Sequence, residues 1–399
     1  MPDLVSVRQQ ERQGSPVAQR NTRISIDGED WLINGEVTYP GREYRGWRIE
    51  GLLMNSRMAS AIFDDDNPIT ADLWKYPDTG VWDADRNTNE LIAMLPEYKA
   101  HGINSLPFNL QNSSPLGYYR RDPEHLEELR ERIHADHPGA QDEDIWKGLL
   151  LEIESQPWIS GAFNADGSLK PAFMGRAKRL IDAADENGMV VILGLFYQGQ
   201  DERLTDTKAV KAAVTNTCVW VLEKGYTNVV IEINNEVNVP TYEHPILKED
   251  RIHELIDLAK GVTRDGVRLL VSTSWTRRST ASPEAVASSD FILLHGNGLV
   301  DPNDVSKVVD NHRAVSTYTP KPILFNEDDH YHFDRPLNNL TAAISRHAGW
   351  GYFDPAEGAG GTPFYGDYEN GYQCPPINWR INTPRKKAFY DFLKEVTGV

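Results

Sequence analysis

Apolar residues recur along this chain in two alternating patterns. Short runs rich in β-branched residues predict strands buried on both faces, and segments with apolar residues at i, i+3, i+4 and i+7 predict amphipathic helices. The densest run, Val229-Val230-Ile231-Glu232-Ile233, is followed at once by Asn234-Asn235-Glu236. A second run, Pro322 to Phe325, leads directly into Asn326-Glu327. The sequence therefore predicts two buried strands that each end in an Asn-Glu pair.

The strand-like runs number eight, and helical segments separate most of them. In chain order the predicted strands are Ile49–Asn55, Ile103–Asn109, Met189–Leu195, Asn228–Ile233, Arg268–Thr273, Phe291–Leu294, Pro322–Phe325 and Trp350–Phe353. The predicted helices begin at Asn87 or Thr88, near Lys170, at Asp206, near Ile252, at Asp301 or Asn303, at Asn338 and at Thr383-Pro384. Such an alternation is typical of an α/β protein with a (β/α)8 TIM barrel.

Two features fall outside the alternation. Residues 23–28 and 30–35 are short alternating runs around a Gly turn, which predict an N-terminal β-hairpin over the closed end of the barrel. Residues 120–156 are rich in charge and predict a helical insertion after strand 2, as a lid, an oligomer contact or a solvated excursion. We expect a disordered or extended tail at 1–22 and one catalytic domain at 23–399.

Composition and charge narrow the classes of function. Hydrophobic residues make up 40% of the 399 residues, which is enough for one large core, and the net charge of −18 disfavours nucleic acid and anionic membranes as partners. The polar N-terminal segment lacks an apolar signal-peptide core, so we expect a cytoplasmic protein without membrane association. Cys218 and Cys374 have no CxxC spacing, which supports neither a disulfide framework nor a zinc site.

The side chains that follow the predicted strands indicate the chemistry of the site. In a (β/α)8 barrel, the carboxyl ends of the strands converge on one face. The residues expected there are Asn55, Arg57, Asn109, Tyr197, Asn235, Glu236, Trp275, His295, Asn297, Glu327, Asp328 and, in the loop after strand 8, Trp379. Amides, aromatic rings and two Glu residues suit a sugar, whose surface combines hydroxyl groups with flat apolar faces.

The Asn-Glu pair after strand 4 and the Glu after strand 7 resemble clan A of the glycoside hydrolases, which includes the family five cellulases and mannanases. The resemblance covers residues 23–397 apart from the insertion. It implies a retaining mechanism in which Glu236 is the general acid/base, Glu327 is the nucleophile and Asn235 binds the sugar 2-hydroxyl. Arg57 and His295 are the candidates to keep Glu327 ionised, while the mechanism requires a proton on Glu236.

The sequence also departs from the pattern of this clan. His295 occupies the place after strand 6 where a Tyr is usual, and the Trp expected after strand 8 is replaced at best by Trp379. Asp328 is an alternative to Glu327 as the functional acid. We predict no metal and no cofactor, because Glu327, Asp328, His330 and His332 lack the helical HExxH spacing of a metal site.

The function expected from these observations is a retaining glycoside hydrolase that cleaves β-glycosidic bonds of oligosaccharides or small glycosides. Two alternatives stay open: a sugar-acting lyase, transglycosylase or isomerase on the same barrel, and a non-catalytic carbohydrate-binding barrel.

Overall fold

A computed structural model of the chain describes residues 20–68, 70–115, 158–355 and 368–399, with a few isolated positions between 131 and 139. The predicted insertion at 120–156 lies almost entirely outside these residues, and so does most of the predicted tail at 1–22. The last residues of that tail are ordered: Thr22 is buried, and its backbone N–H donates to the Asp185 carboxylate at 2.8 Å.

Eight strand positions form a parallel barrel, which confirms the predicted fold. Its strands are β6 (Met54–Ser56), β7 (Ser105–Asn109), β8 (Val190–Phe196), β9 (Val229–Asn234), β10 with β11 (Val271–Ser272 and Ser274–Thr276), β12 (Ile292–His295), β13 (Ile323–Glu327) and β14 (Trp350–Tyr352). Strands β10, β9, β8, β7, β6 and β14 form one sheet, and β11, β12 and β13 form another.

The two sheets join into a ring at two places. The fifth barrel strand is interrupted at Thr273, so β10 pairs with β9 while β11 pairs with β12. On the other side, Phe325 N–H donates to Gly349 O at 3.0 Å and Gly349 N–H to Ile323 O at 2.9 Å, which links β13 to β14. Closure leaves no free sheet edge around the barrel.

The connecting segments carry helices on the outside of the ring. They are α1 (Ala84–Ala100), α2 (Pro171–Glu186), α3 (Thr207–Glu223), α4 (Ile252–Gly261), α5 (Pro283–Ser288), α6 (Pro302–Arg313), α7 (Asn339–Ile344) and α8 (Pro384–Thr397). The predicted caps Asp206, Asp301, Asn338 and Thr383 each accept a backbone N–H of the first turn. No helix in the described part of the chain combines the length and apolar character needed to span a bilayer.

The predicted hairpin closes the amino-terminal end of the barrel. Its strands are β1 (Ile24–Asp27) and β2 (Asp30–Ile33), which pair antiparallel, and short strands β3 (Glu36–Val37), β4 (Glu43–Tyr44) and β5 (Trp47–Arg48) follow. Trp31 of β2 packs edge-on against Phe291 with ring centroids 5.1 Å apart. Trp31 belongs to an apolar cluster with inward residues such as Leu53, Val190 and Leu324. The hairpin therefore covers the amino-terminal end of the barrel, and the polar residues lie at the opposite, carboxyl end.

Helix α1 begins earlier than predicted. Asp83, rather than Asn87 or Thr88, accepts a first-turn N–H of the helix, from Arg86. Asn87 and Thr88 are buried inside the helix, where Asn87 donates to Ser60 O at 3.0 Å and Thr88 to Ala61 O at 2.8 Å. These two polar side chains fasten α1 to the loop after β6 instead of capping it.

Candidate active site

The two Glu residues that end the Asn-Glu motifs meet at the carboxyl end of the barrel. Glu236 follows β9 and Glu327 ends β13, and their side chains are 9% and 0% exposed. A carboxylate oxygen of Glu236 and one of Glu327 lie within 4.8 Å of each other, and a ring nitrogen of His295 lies within the same distance of both. The barrel therefore brings together three of the groups expected at this face.

Local backbone geometry aims both carboxylates inward. Glu236 has φ +51°, a left-handed conformation that costs a non-glycine residue roughly 1–2 kcal/mol. The chain turns sharply there, and Glu236 N–H donates to Ser274 Oγ at 2.9 Å. On the other side, the register between β12 and β13 shifts between Leu294 and His295, so that His295 pairs with Glu327. Such a bulge re-aims side chains, and here Asn326 and Glu327, although consecutive, both contact inward-facing groups.

Cationic and amide donors surround Glu327. Arg57 Nε lies 2.5 Å from Glu327 Oε2, and Asn297 Nδ2 donates to Oε1 at 2.6 Å. His295 Nδ1 lies 3.3 Å from Oε2. The side chain that follows β12 and touches Oε1 is Asn297, two residues beyond His295.

Arg57 also connects the two Asn-Glu motifs. Its Nη2 donates to Asn235 Oδ1, and Asn235 Nδ2 faces Gln198 Oε1 at 3.5 Å. The backbone carbonyl of Asn235 accepts a hydrogen bond from the Tyr242 hydroxyl. Asn235 is thus held by Arg57, Gln198 and Tyr242, and its amide lies beside the carboxylate pair.

His295 lies between the two carboxylates. Its Nδ1 lies 2.9 Å from Glu236 Oε1. Burial lowers the pKa of His295, but the charge of Glu327 and the hydrogen bond and charge of Glu236 outweigh burial, so this pKa lies above its usual 6.5.

The carboxyl group of Glu236 shows the opposite balance. Burial raises its pKa, but the hydrogen bond and charge of His295, the hydrogen bond of Thr276 and the charge of Arg57 together bring the pKa below its usual 4.5. Both shifts favour a charge pair of protonated His295 and ionised Glu236.

Asn55, Asn109 and Tyr197 are buried in or beside the barrel wall. Asn55 Nδ2 donates to Phe325 O at 3.4 Å, and its Oδ1 faces the backbone of Gly351. Asn109 lies against Gly194. Tyr197 follows β8, and its backbone N–H donates to Gln111 Oε1 at 2.9 Å. The predicted contact of these three residues with substrate stays a prediction.

Trp275, Trp379 and Asp328 have their contacts with the protein's own core, and their predicted binding of substrate stays a prediction. Trp275 is 1% exposed and packs beside His312 of α6, with ring centroids 6.4 Å apart, because its neighbours on β11 are the ones that face inward. Trp379 is also 1% exposed, stacks on Tyr372 at 5.8 Å and donates its indole N–H to Asn87 at 3.1 Å. Both rings are therefore core residues.

Asp328 is likewise directed away from the carboxylate pair. It is completely buried, and its Oδ2 accepts from Trp350 Nε1 and from Asn339 Nδ2, each at 2.9 Å. Its Oδ1 accepts from His330 Nδ1 at 2.7 Å. The bulge that turns Glu327 inward leaves Asp328 facing the α7 side, where it holds β13, β14 and α7 together.

Sequence reasoning missed two residues of the polar network. Thr276 hydrogen-bonds Glu236, and Glu232, inside β9, accepts from Asn326 Nδ2 at 3.2 Å. A visible signal existed for Glu232, since a carboxylate in the middle of a β-branched run must be buried with a partner. For Thr276 there was none, because its inward orientation depends on the break in the fifth strand.

Two side-chain sets in the described residues also have the composition of a cation site. They are Glu236 with His295 and Glu327, and Asp328 with Asp329 and His330. In the first set, the Arg57 guanidinium contacts Glu327 and repels a cation. The second set consists of neighbouring residues already bonded to one another. The expectation that no metal is required stays a prediction.

No protein-family model matches the sequence, and no curated protein is similar to it in sequence. The structure is similar to those of solved glycoside hydrolases. A GH5-4 broad specificity endoglucanase from Bacteroides salanitronis aligns at 10% identity with a TM-score of 0.50, over 87% of this chain and 93% of that one. A GH5-4 broad specificity endoglucanase from Ruminococcus flavefaciens aligns at 12% identity and a TM-score of 0.50, over 87% and 96%.

A longer protein from Bacteroides vulgatus aligns at 13% identity and a TM-score of 0.49 over 96% of this chain, which spans 62% of that protein's length. Similarity at this level of identity is a similarity of fold. The chain is a (β/α)8 barrel with the fold of the family five glycoside hydrolases.

Proposed function

We propose that this protein is a retaining glycoside hydrolase that cleaves β-glycosidic bonds of oligosaccharides or small glycosides. The observation that carries the proposal is the approach of the Glu236 and Glu327 carboxylate oxygens to within 4.8 Å at the carboxyl end of the barrel. Retaining enzymes hold their carboxyl groups about 5–5.5 Å apart, whereas inverting enzymes need about 6.5–9.5 Å to admit a water molecule. The short separation supports a double displacement.

In the first half of the reaction, Glu327 is the nucleophile that attacks the anomeric carbon and forms a glycosyl ester. Arg57 and Asn297 support this role, because their contacts with the two carboxylate oxygens hold the carboxylate in one orientation. Glu236 is the general acid that protonates the departing oxygen. In the second half, Glu236 is the base that takes a proton from water as water attacks the ester.

The remaining side chains of the site suit a sugar. Asn235 is held by Arg57 beside the carboxylate pair, and its amide is the candidate partner for the 2-hydroxyl of the sugar bound there. Asn297 is only partly buried and presents a second amide. Hydrogen bonds to the 2-hydroxyl that strengthen in the transition state contribute several kcal/mol in such enzymes.

A panel of aryl β-glycosides and cello- and manno-oligosaccharides tests the proposal. Wild-type protein should release the aryl group or shorten the oligosaccharide with retention of anomeric configuration, observed by NMR. Glu236→Gln should lower turnover by roughly a hundredfold or more, and Glu327→Gln should lower it at least as far. Glu254→Gln, which alters a partly buried carboxylate paired with Arg251 on α4, is the matched control and should leave turnover unchanged.

A trapping experiment identifies the nucleophile directly. A 2-deoxy-2-fluoro glycoside with a good leaving group should label Glu327, which peptide mass spectrometry can locate. A label on another carboxylate, or inverted product, contradicts the assigned roles. Sugar binding without turnover by the wild type would favour the carbohydrate-binding barrel, and unsaturated or isomerised products would favour the lyase or isomerase.

A further inference from the structure

A third carboxylate lies below the catalytic pair, inside the barrel. Glu232 is in the middle of β9, is completely buried, and faces inward, where its Oε2 accepts from Asn326 Nδ2 at 3.2 Å. Burying a carboxylate in an apolar strand is costly unless partners compensate, and one amide satisfies only part of its capacity. Its second oxygen, Oε1, has no hydrogen-bond partner in the described chain.

The group that faces this second oxygen is His295. Its Nε2 lies 3.9 Å from Glu232 Oε1, which is ion-pair distance, and Nε2 also has no hydrogen-bond partner in the described residues. The other ring nitrogen, Nδ1, lies 2.9 Å from Glu236 Oε1. One edge of the imidazole therefore faces the general acid/base, and the other edge faces a buried carboxylate that no substrate contact requires.

We propose that Glu232 is a positioning residue that keeps neutral His295 protonated at Nε2, so that Nδ1 exchanges a proton with Glu236. This inference rests on the proposed function of Glu236. A carboxylate beside one nitrogen of a histidine fixes which nitrogen carries the proton, and thereby frees the other nitrogen for proton exchange.

The proton balance of this exchange is simple. In the resting site the imidazolium carries a proton on each nitrogen, and Glu236 is ionised. The Nδ1 proton passes to Glu236 Oε1, which leaves an uncharged carboxylic acid and a neutral imidazole with its proton on Nε2, directed at Glu232. Glu236 then gives this proton to the departing oxygen, and no further reactant is needed.

The charges around His295 link the proton transfer from His295 to Glu236 with the formation of the glycosyl ester on Glu327. The groups that face it are Glu232 and Glu236 at β9, Glu327 at β13 and Arg57 after β6. Of the interactions that raise the pKa of His295, the charge of Glu327 is the largest. As Glu327 forms the glycosyl ester it loses this charge, so the imidazolium becomes more acidic when Glu236 must hold a proton.

Nitrogen-15 NMR of histidine-labelled protein tests the inference without requiring turnover. The His295 signals, assigned by their loss in His295→Gln, should show a pKa above 6.5 and, at higher pH, the tautomer protonated at Nε2. Glu232→Gln should lower this pKa, because the carboxylate 3.9 Å from Nε2 is replaced by a neutral amide. Asp185→Asn, which alters a buried carboxylate that binds the Thr22 segment, is the matched control and should leave the His295 titration unchanged.

Kinetics provide a second readout. Glu232→Gln should lower kcat/KM roughly ten- to a hundredfold and move the alkaline limb of its pH profile to lower pH. Glu232→Asp should reverse part of both effects.

A wild-type His295 whose neutral ring is protonated at Nδ1 would overturn the inference, and this measurement can be made even if Glu232→Gln does not fold. A His295 titration that is unaffected by Glu232→Gln overturns it as well. If the wild type hydrolyses no glycoside, the proposed function fails, whereas the NMR measurements still decide the pairing of Glu232 with His295.

Discussion

Arg57 and Glu327 form an ion pair with 2.5 Å between Nε and Oε2, and their side chains are 2% and 0% exposed. Removing one partner of a buried pair leaves an uncompensated charge, which typically costs about 3–5 kcal/mol. Arg57 also donates to Asn235, so a single guanidinium fixes the nucleophile candidate and the neighbouring amide together.

Two substitutions of Arg57 should therefore distinguish the effect of its positive charge from the effect of its planar guanidinium geometry. Arg57→Ala should lower the free energy of unfolding by about 3–5 kcal/mol in urea denaturation and abolish measurable turnover. Arg57→Lys keeps the charge but offers one ammonium group in place of a planar fork, so it should be more stable than Arg57→Ala while kcat/KM falls by roughly a hundredfold.

The control for Arg57 is Arg20, which pairs with Asp182 on α2 at 2.8 Å, near the closed end of the barrel. Arg20→Ala should cost stability only modestly and leave kcat/KM as it is. Wild-type kinetics in Arg57→Lys would show that the fork geometry of Arg57 is not needed at Glu327.

Asn297 should act on Glu327 through one hydrogen bond. Its Nδ2 donates to Oε1 at 2.6 Å, and a hydrogen bond to a charged group contributes about 1.5–3 kcal/mol. Asn297→Ala should lower kcat/KM by roughly ten- to a hundredfold, and it should lower the free energy of unfolding by no more than about 1.5–3 kcal/mol. Asn303→Ala, at the exposed start of α6, is the matched amide control. A large loss of stability without a kinetic effect would instead assign Asn297 a structural role.

The apolar runs of the sequence determined most of the barrel, because a strand buried on both faces needs a continuous run of apolar residues. Residues 229–233 and 323–325 form strands where predicted. The fifth strand was harder to predict, since Thr273 interrupts it and its two halves pair with different neighbours. Pairing of this kind depends on contacts between distant segments, which a local pattern does not contain.

The sequence could identify the candidate residues that follow the strands, but it could not predict the directions of their side chains. Glu236 and Glu327 could be found because each follows a buried run. Whether Glu327 or Asp328 faces inward is decided by the register shift between β12 and β13, which reverses the expected alternation by one residue. The surroundings of Trp275 and Trp379 were not predictable for a related reason: an aromatic side chain near a strand end packs equally well in the core.

The ion network at His295 should make stability depend on pH in a defined window. The pKa of His295 is raised above 6.5 in the folded protein. Protonated His295 therefore contributes fully to the free energy of unfolding below pH 6.5, and this contribution is lost as pH rises through the folded pKa. The pKa of Glu236 is lowered below 4.5, so its contribution is present above pH 4.5 and is lost as pH falls through the folded pKa. Both contributions are present between these two values.

Urea denaturation of wild type and His295→Gln across pH measures this effect. The difference in free energy of unfolding should be largest between about pH 4.5 and 6.5 and should shrink on either side. Taking the difference cancels the titration of groups that the two proteins share. A difference that does not vary with pH would mean that the folded and unfolded proteins bind the His295 proton equally, so that folding does not shift the pKa of His295.

Asp328 should contribute to stability rather than to catalysis. Its two oxygens accept hydrogen bonds from Trp350, Asn339 and His330, and no part of it is exposed. Asp328→Asn places an amide N–H₂ against at least one of these donors, so it should lower the free energy of unfolding by about 3 kcal/mol, while kcat/KM of the folded fraction stays within about threefold of wild type. Asp329→Asn, at the next residue with a side chain 23% exposed, is the matched control and should cost less than about 1 kcal/mol. If Asp328→Asn is instead as stable as wild type but loses turnover, the carboxylate acts on substrate, and the division of roles between Glu327 and Asp328 has to be reversed.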